Sequence, residues 1–256
     1  MYPDSIQAQH YQVYFNDEGF DFLNRFVAEQ RPSKIFLLAD KHTNECCTPI
    51  VLSVLATDIP LEIIEIEAGE PHKHIDTCTQ VWYALSELGA DRKSLLINIG
   101  GGVVTDLGGF VASTYMRGIP FINIPTSLLA MVDASVGGKT GVDLGALKNL
   151  VGVINNPKGV VIYPDFLATL PTEELRSGMA EMFKHGLISD EAYWHKMCNL
   201  SELTEAHLGS LIYESVIIKN KVVTQDPTEK GLRKTLNYGH TLGHAIESYC
   251  LQNPNR

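Results

Sequence analysis

Residues 94–110 read SLLINIGGGVVTDLGGF. A run of strand character passes into three consecutive glycines and then into a segment with apolar residues at helical spacing. Glycine suits a sharp turn out of a strand, and a helix starting there points its first backbone N–H groups at whatever lies beyond the sheet, a cradle for phosphate or another anion. The stretch departs from the dinucleotide fingerprint G-x-G-x-x-G. Gly100 and Gly102 supply its first two glycines, but the third position is Thr105. Taken alone, the stretch reads equally well as a tight strand-to-helix turn.

The same rhythm extends to either side. IFLLA (35–39), LEIIEI (61–66), FINI (121–124) and VVIY (160–163) are short, β-branched-rich and nearly all apolar, and helix-length segments separate them. Unbroken apolar runs are what parallel strands covered on both faces by helices require, so the pattern predicts an α/β fold with a parallel, Rossmann-like sheet. Ligands in such sheets bind beyond the carboxyl ends of the strands, which places Asp40 and Gly100–Gly102 at a crevice. After Pro164 the spacing becomes helical throughout. A break is expected near 165–170, with Thr172 as helix cap and Glu173 and Glu174 in the first turn, giving an α/β domain over 1–168 and an all-helical domain over 169–256. The chain ends at LQNPNR directly after a helical pattern, so the helical domain reads as truncated at its C-terminus.

Composition narrows the function. At 256 residues, 45% hydrophobic and 20% charged, the chain has ordinary globular make-up. A net charge of −10 repels nucleic acid and anionic membrane surfaces. No apolar run reaches the roughly 18 residues that span a bilayer, and the start MYPDSIQAQHYQVYF lacks a basic stretch followed by an apolar core. Cys46, Cys47, Cys78, Cys198 and Cys250 are odd in number and form no CxxC, which argues against a disulfide framework and for a reduced, cytoplasmic protein.

Further stretches carry chemistry. IPTSLLAMVDASVGGKTGVD (124–143), with LKN at 147–149, resembles the end of a Walker loop at Gly137–Thr140, but the glycine that loop needs is Asp133. It is expected to be a glycine-rich loop presenting Asp133, Lys139, Lys148 and Asn149, groups that suit a hydroxylated, anionic small molecule. GMAEMFKHGLI (178–188) puts Glu181 and Lys184 on one helix face among apolar neighbours, where a buried carboxylate wants a cation or a metal. In GLRKTLNYGHTLGHAIE (231–247), His240 and His244 lie one turn apart on a helix, and Asn237, Arg233 and Glu229 continue the polar stripe backwards over four turns. The spacing is that of HExxH, but Thr241 stands where the glutamate base would be, which removes peptide hydrolysis. Each stretch alone is compatible with a solvated surface. A carboxylate with imidazole is nonetheless the donor set of catalytic zinc sites.

Together GGGVVTD, PTSLLAMVDASVGGKTG, LKN, GMAEMFKHG and GLRKTLNYGHTLGHA, in this order and approximate spacing, resemble the 3-dehydroquinate synthase family from about residue 35 onward. The resemblance implies an NAD-binding α/β domain followed by a metal- and substrate-binding helical domain, a homodimer, and zinc or cobalt in the cleft. It implies an anionic sugar-phosphate substrate: 3-deoxy-D-arabino-heptulosonate 7-phosphate is converted to 3-dehydroquinate and phosphate by oxidation, β-elimination, reduction and intramolecular aldol closure. It makes Glu181 and His240 metal ligands; a third histidine of the family has no counterpart before Arg256. Asp133, Lys139, Asn149, Lys184, Lys219, Arg233, Asn237 and His244 fall on substrate positions, with Lys219 and Arg233 towards the carboxylate and Lys139, Asn149 and His244 towards phosphate and hydroxyls. Arg117 would serve the neighbouring subunit's phosphate site. Asp40, Glu70, Lys73, Gly101, Gly102, Asp106, Thr126, Ser127 and Lys148 fall on cofactor positions. Ser127 stands where the family commonly has Thr, and Asp143 where it commonly has Asn. Other NAD- and metal-dependent sugar-phosphate cyclases and polyol dehydrogenases share this logic, and a non-catalytic fragment is the remaining reading.

Overall fold

The apolar runs form the parallel heart of a seven-stranded sheet ordered β1-β2-β9-β6-β5-β3-β4 in the computed structural model, which describes residues 2–199 and 205–252. The strands are β1 (Ser5–Gln7), β2 (Gln12–Phe15), β3 (Ile35–Asp40), β4 (Leu61–Ile66), β5 (Leu95–Gly100), β6 (Phe121–Pro125) and β9 (Val160–Ile162); a separate ribbon pairs β7 (Lys139–Leu144) with β8 (Leu147–Ile154). The helices are α1 (Asn16–Gln30), α2 (Lys41–Cys46), α3 (Thr48–Val54), α4 (Ile75–Glu87), α5 (Gly102–Thr114), α6 (Thr172–Ser189), α7 (Glu191–Cys198), α8 (Glu205–Gln225) and α9 (His240–Gln252). Within the large sheet β1 and β2 pair antiparallel, and the other ladders among the described residues are parallel.

Side chains alternate across a strand, so each run feeds two cores. Ile35, Leu37, Leu95, Ile97, Ile99, Ile122 and Ile124 pack on one face against Leu23 and Val27 of α1, Met182 of α6 and Ile212 and Val216 of α8. Phe36, Leu38, Leu96 and Phe121 pack on the other against Val81 and Leu85 of α4 and Val104, Leu107 and Val111 of α5. The helical segment after Pro164 therefore shares one core with a sheet face. No helix among the described residues is long and apolar enough to cross a membrane. The five cysteines are free, and burial pushes the Cys47 and Cys78 thiols up to about 12.

Three expectations are corrected. The segment 124–143 with LKN is not one loop: Ala130–Ala134 winds a π-helical turn, and Lys139 and Asn149 belong to the β7–β8 ribbon. The four-turn stripe is not one helix, because a short 3-10 helix over Leu232–Asn237 is broken from α9 at Tyr238 and at Gly239, whose φ of 83° is left-handed. Thr172 is the first helical residue of α6 rather than its cap, Pro171 holding that place without a side-chain bond.

The ribbon lies against α5 because Gly109 has no side chain: a Cβ there would stand 2.4 Å from Thr140 Cγ2. Gly109→Ala is expected to cost about 1–3 kcal/mol through overpacking, read as a lowered Tm with the circular dichroism spectrum retained. An unchanged Tm would show that the ribbon yields.

Candidate active site

The carboxyl ends of the central strands carry the crevice. β3 has β4 on one side and β5 on the other, so the β3-to-β4 and β4-to-β5 crossovers run in opposite directions along the sheet and put a switch point beyond Asp40 and Gly100. Gly101 caps α5 without a side-chain hydrogen bond, leaving the first-turn N–H groups free of one. The Thr126 N–H donates to Gly100 O at 3.0 Å, and a Cβ on Gly101 would come within 3.3 Å of Ser127 Oγ. A side chain at Gly101 would crowd Ser127 at the mouth of the cradle. Thr105, at the missing third glycine, donates its hydroxyl to Gly101 O at 3.1 Å, tying the helix start to the turn. Asp40 is engaged as the cap of α2, accepting from the Thr43 N–H at 2.9 Å.

A chain of adjacency leads from this cradle to the helical side. A Cβ on Gly102 would be 3.5 Å from Ala134 Cβ, and the next residue back, Asp133, ion-pairs with Lys219 of α8. A carboxylate oxygen of Asp133, one of Glu181 and a ring nitrogen of His185 all lie within 4.8 Å of one another. Glu181 is in ion-pair contact with Lys184, whose Nζ also donates to Leu236 O and lies 3.5 Å from His240 Nε2. Glu181, Lys184 and His240 thus meet around one ammonium group, although the helix break separates Asn237 from α9.

Each lysine singled out by the sequence faces a carboxylate: Lys73–Asp106 at 2.6 Å, Lys148–Glu70 at 3.2 Å, Lys139–Glu229, Lys184–Glu181 and Lys219–Asp133. Lys73 also donates to Asn149 Oδ1 at 2.6 Å, joining the cofactor and substrate positions of the family. Burial pulls on its ammonium, but Asp106 and Glu70 outweigh that and hold it protonated. Asn237 donates to Glu229 Oε1 at 2.6 Å. Arg233 is 2% exposed and spends two N–H groups on Gly137 O, at 3.0 Å, and Pro227 O, at 2.9 Å. Arg117 stands apart, exposed just beyond the C-terminal end of α5 with φ 70°, about 20 Å along that helix from the cradle. The side chain of His244 lies outside the described residues.

For Asp133, burial opposes ionisation, but the charges of Lys219 and Lys184 and the hydrogen bond from Lys219 more than offset it and hold the carboxyl below its ordinary 3.8. Burial lowers the Lys219 ammonium, and Asp133 restores only part of the loss. A carboxyl depressed in the fold contributes stability that is fully present above its unfolded value and lost as pH falls through its folded value. Stability should fall below about pH 4, and Asp133→Asn should bind about one proton fewer along that limb in a Tm-against-pH series. An identical slope would remove Asp133 from the acid response.

The donor chemistry fits a divalent metal. His185 Nε2 is buried without a hydrogen bond, Glu181 Oε1 is buried in ion-pair contact with Lys184, and carboxylate with imidazole suits zinc or cobalt. His185, Ser215, which contacts it, and Tyr11, whose hydroxyl accepts from the Gly137 N–H at 2.8 Å, escape the sequence reading. His185 stands inside a quoted motif, four residues after Glu181.

The fold and this constellation define an α/β protein in which a parallel-sheet glycine cradle adjoins a cluster of carboxylate, imidazole and ammonium groups. The chain superposes on 2-deoxy-scyllo-inosose synthase, solved with carbaglucose-6-phosphate, NAD+ and Co2+, with TM-score 0.84 at 24% identity, covering 96% of this chain and 71% of that one. It superposes on 2-epi-5-epi-valiolone synthase from Streptomyces hygroscopicus, solved with NAD+ and Zn2+, with TM-score 0.79 at 26% identity, covering 99% and 72%. Residues 63–177 match the family model for the N-terminal part of 3-dehydroquinate synthase and residues 178–254 the model for its C-terminal part. The chain is 47% identical over 228 residues to the 3-dehydroquinate synthase of Parabacteroides distasonis, covering 88% of this chain and 64% of that protein. It is 46% identical over 246 residues to that of Prochlorococcus marinus, covering 93% and 67%. The chain belongs to the 3-dehydroquinate synthase family, and it spans about two thirds of the length of these relatives.

Proposed function

We propose that this chain carries the NAD cleft and most of the substrate groups of a 3-dehydroquinate synthase, a cytoplasmic, homodimeric carbon–oxygen lyase that turns 3-deoxy-D-arabino-heptulosonate 7-phosphate into 3-dehydroquinate and phosphate. One observation carries the reading. The glycine cradle, Asp133–Lys219 and the Glu181–Lys184–His240 cluster adjoin one another, so a cofactor site and a metal-type site open on the same cleft. The identity of 46–47% to relatives of that name, against 24–26% to the inosose and valiolone synthases, supports the former's substrate.

In this reading residues 1–168 bind NAD, through the Gly100–Gly102 cradle, Thr126, Ser127, Asp40, Glu70, Lys73, Asp106 and Lys148, and residues 169–256 bring Glu181 and His240 to the metal. When bound, NAD takes up and returns a hydride, while a divalent zinc or cobalt ion lowers the pKa of the hydroxyl at the carbon being oxidised. Lys219 and the remaining N–H groups of Arg233 face the substrate carboxylate. Lys139, Asn149 and His244 face phosphate and ring hydroxyls, Arg117 serves the partner subunit, and Asn237 holds Glu229 against Lys139. Because the lysines are already paired, an anionic substrate binds by drawing them from their carboxylates, so each site cation stays neutralised before and after binding. Lys184, touching both Glu181 and His240, is placed to hand a proton to the substrate oxygen they surround.

The test is phosphate release by this chain, and by the chain carried to the length of its relatives, from 3-deoxy-D-arabino-heptulosonate 7-phosphate and from glucose 6-phosphate. Release from the carboxylate-bearing sugar alone is expected. Preference for glucose 6-phosphate would move the chain to the inosose branch.

A further inference from the structure

His185 is fully buried one turn beyond Glu181, and the proposed function gives it no role of its own. Its Nδ1 lies 2.7 Å from Ser215 Oγ on α8, itself fully buried, and its Nε2 lies 3.5 Å from Glu181 Oε1. Nε2 makes no hydrogen bond, while Oε1, also without one of normal geometry, carries the ion-pair contact with the Lys184 ammonium. A buried ring nitrogen left without a partner is costly, so its place against the Glu181 carboxylate calls for a reason.

We propose that Ser215 and His185 are positioning residues for Glu181, a relay from α8 that fixes the orientation of the carboxylate presented to the metal. The argument is one of proton placement. If the imidazole proton sits on Nδ1 and donates to Ser215 Oγ, the bare Nε2 lone pair is set against a carboxylate lone pair. If the Ser215 hydroxyl donates to Nδ1, the proton is forced onto Nε2, where it points at Glu181 Oε1, satisfying the ring nitrogen and giving the carboxylate oxygen that Lys184 contacts a second donor. A small closing of the 3.5 Å separation completes the bond. The pair works from inside the core: His185 comes from the same helix as Glu181, and Ser215 from α8, one turn before Lys219, so the helix that holds Asp133 also holds the carboxylate. Partners of this kind set the orientation of a metal ligand, and their loss typically weakens metal binding 10–100-fold.

The inference rests on the metal reading of Glu181, and Co2+ titration of the protein, followed by equilibrium dialysis and the visible absorption spectrum, separates the two. The variants are Glu181→Ala, His185→Phe, His185→Gln and Ser215→Ala, each checked for fold by circular dichroism and compared with the parent. The expected result is Co2+ affinity lowered about 10–100-fold with an altered spectrum in His185→Phe, lowered several-fold in Ser215→Ala, and restored in His185→Gln, which keeps an N–H donor where Nε2 stands. Equal affinity in parent and His185→Phe, or no restoration by a folded His185→Gln, overturns the positioning role while leaving the metal reading intact if Glu181→Ala still loses Co2+. Equal affinity in parent and Glu181→Ala overturns the metal reading, and this inference with it.

Discussion

Glu181→Ala is expected to lose bound metal and to lower kcat by about a thousandfold or more, since a Lewis acid at the reacting oxygen contributes several kcal/mol. The size follows from where the carboxylate sits. Glu181 is 7% exposed on α6 and faces Lys184 and His185, with His240 reached through the Lys184 ammonium. Alanine removes the one carboxylate of this trio and leaves Lys184 buried without its counter-charge, so binding, charge balance and proton handling fail together. Metal content by elemental analysis and steady-state kinetics on the same preparation check the claim. A variant that holds no metal yet keeps kcat within tenfold of the parent would remove the metal from the reaction.

The second large effect concerns stability. Asp133→Asn should lower it by about 3 kcal/mol, because Lys219 is left with an unpaired charge in a buried place. The Lys219 side chain is 6% exposed and that of Asp133 29%, which puts the loss at the low end of the range for buried pairs. In a domain of this size that is a fall in Tm of about 10 °C. Lys219→Met in the Asp133→Asn background should recover most of it, since the double variant removes the stranded charge rather than adding a second defect. Thermal unfolding of the parent, both single variants and the double variant gives the coupling directly. Simple additivity would mean that the ion pair contributes nothing as a pair.

These two sites also show what can be read from sequence and what cannot. Glu181–Lys184 is three residues apart on a helix, so burial and contact both follow from spacing. Asp133–Lys219 and Lys139–Glu229 are separated by 86 and 90 residues, and no local rule brings them together. The resemblance points to most of these residues as site members without saying that each cation sits on a carboxylate. The parallel strands were legible because burial on both faces leaves only apolar residues in them. β1 and β2 were not, being only three and four residues long, too short to show a strand pattern. The β7–β8 ribbon was hidden by Gly141, Gly145 and Gly152 and by its charges, which read as loop; its strands are held by each other and by α5 rather than by alternation in the sequence. The periodicity of 231–247 suggested one helix because hydrophobic spacing does not register a single left-handed residue, and Gly239 is that residue. His185 carried no signal beyond standing one turn after Glu181, because its meaning depends on Ser215, thirty residues away.

The number of phosphates released per NAD decides whether NAD is regenerated within each turnover. With NAD and zinc far below the concentration of 3-deoxy-D-arabino-heptulosonate 7-phosphate, the chain carried to the length of its relatives should release many phosphates for each NAD present while NADH stays at a trace, because the hydride taken up is returned within each turnover. NADH accumulating in step with product, or no phosphate from a folded, NAD-bound protein, would contradict it.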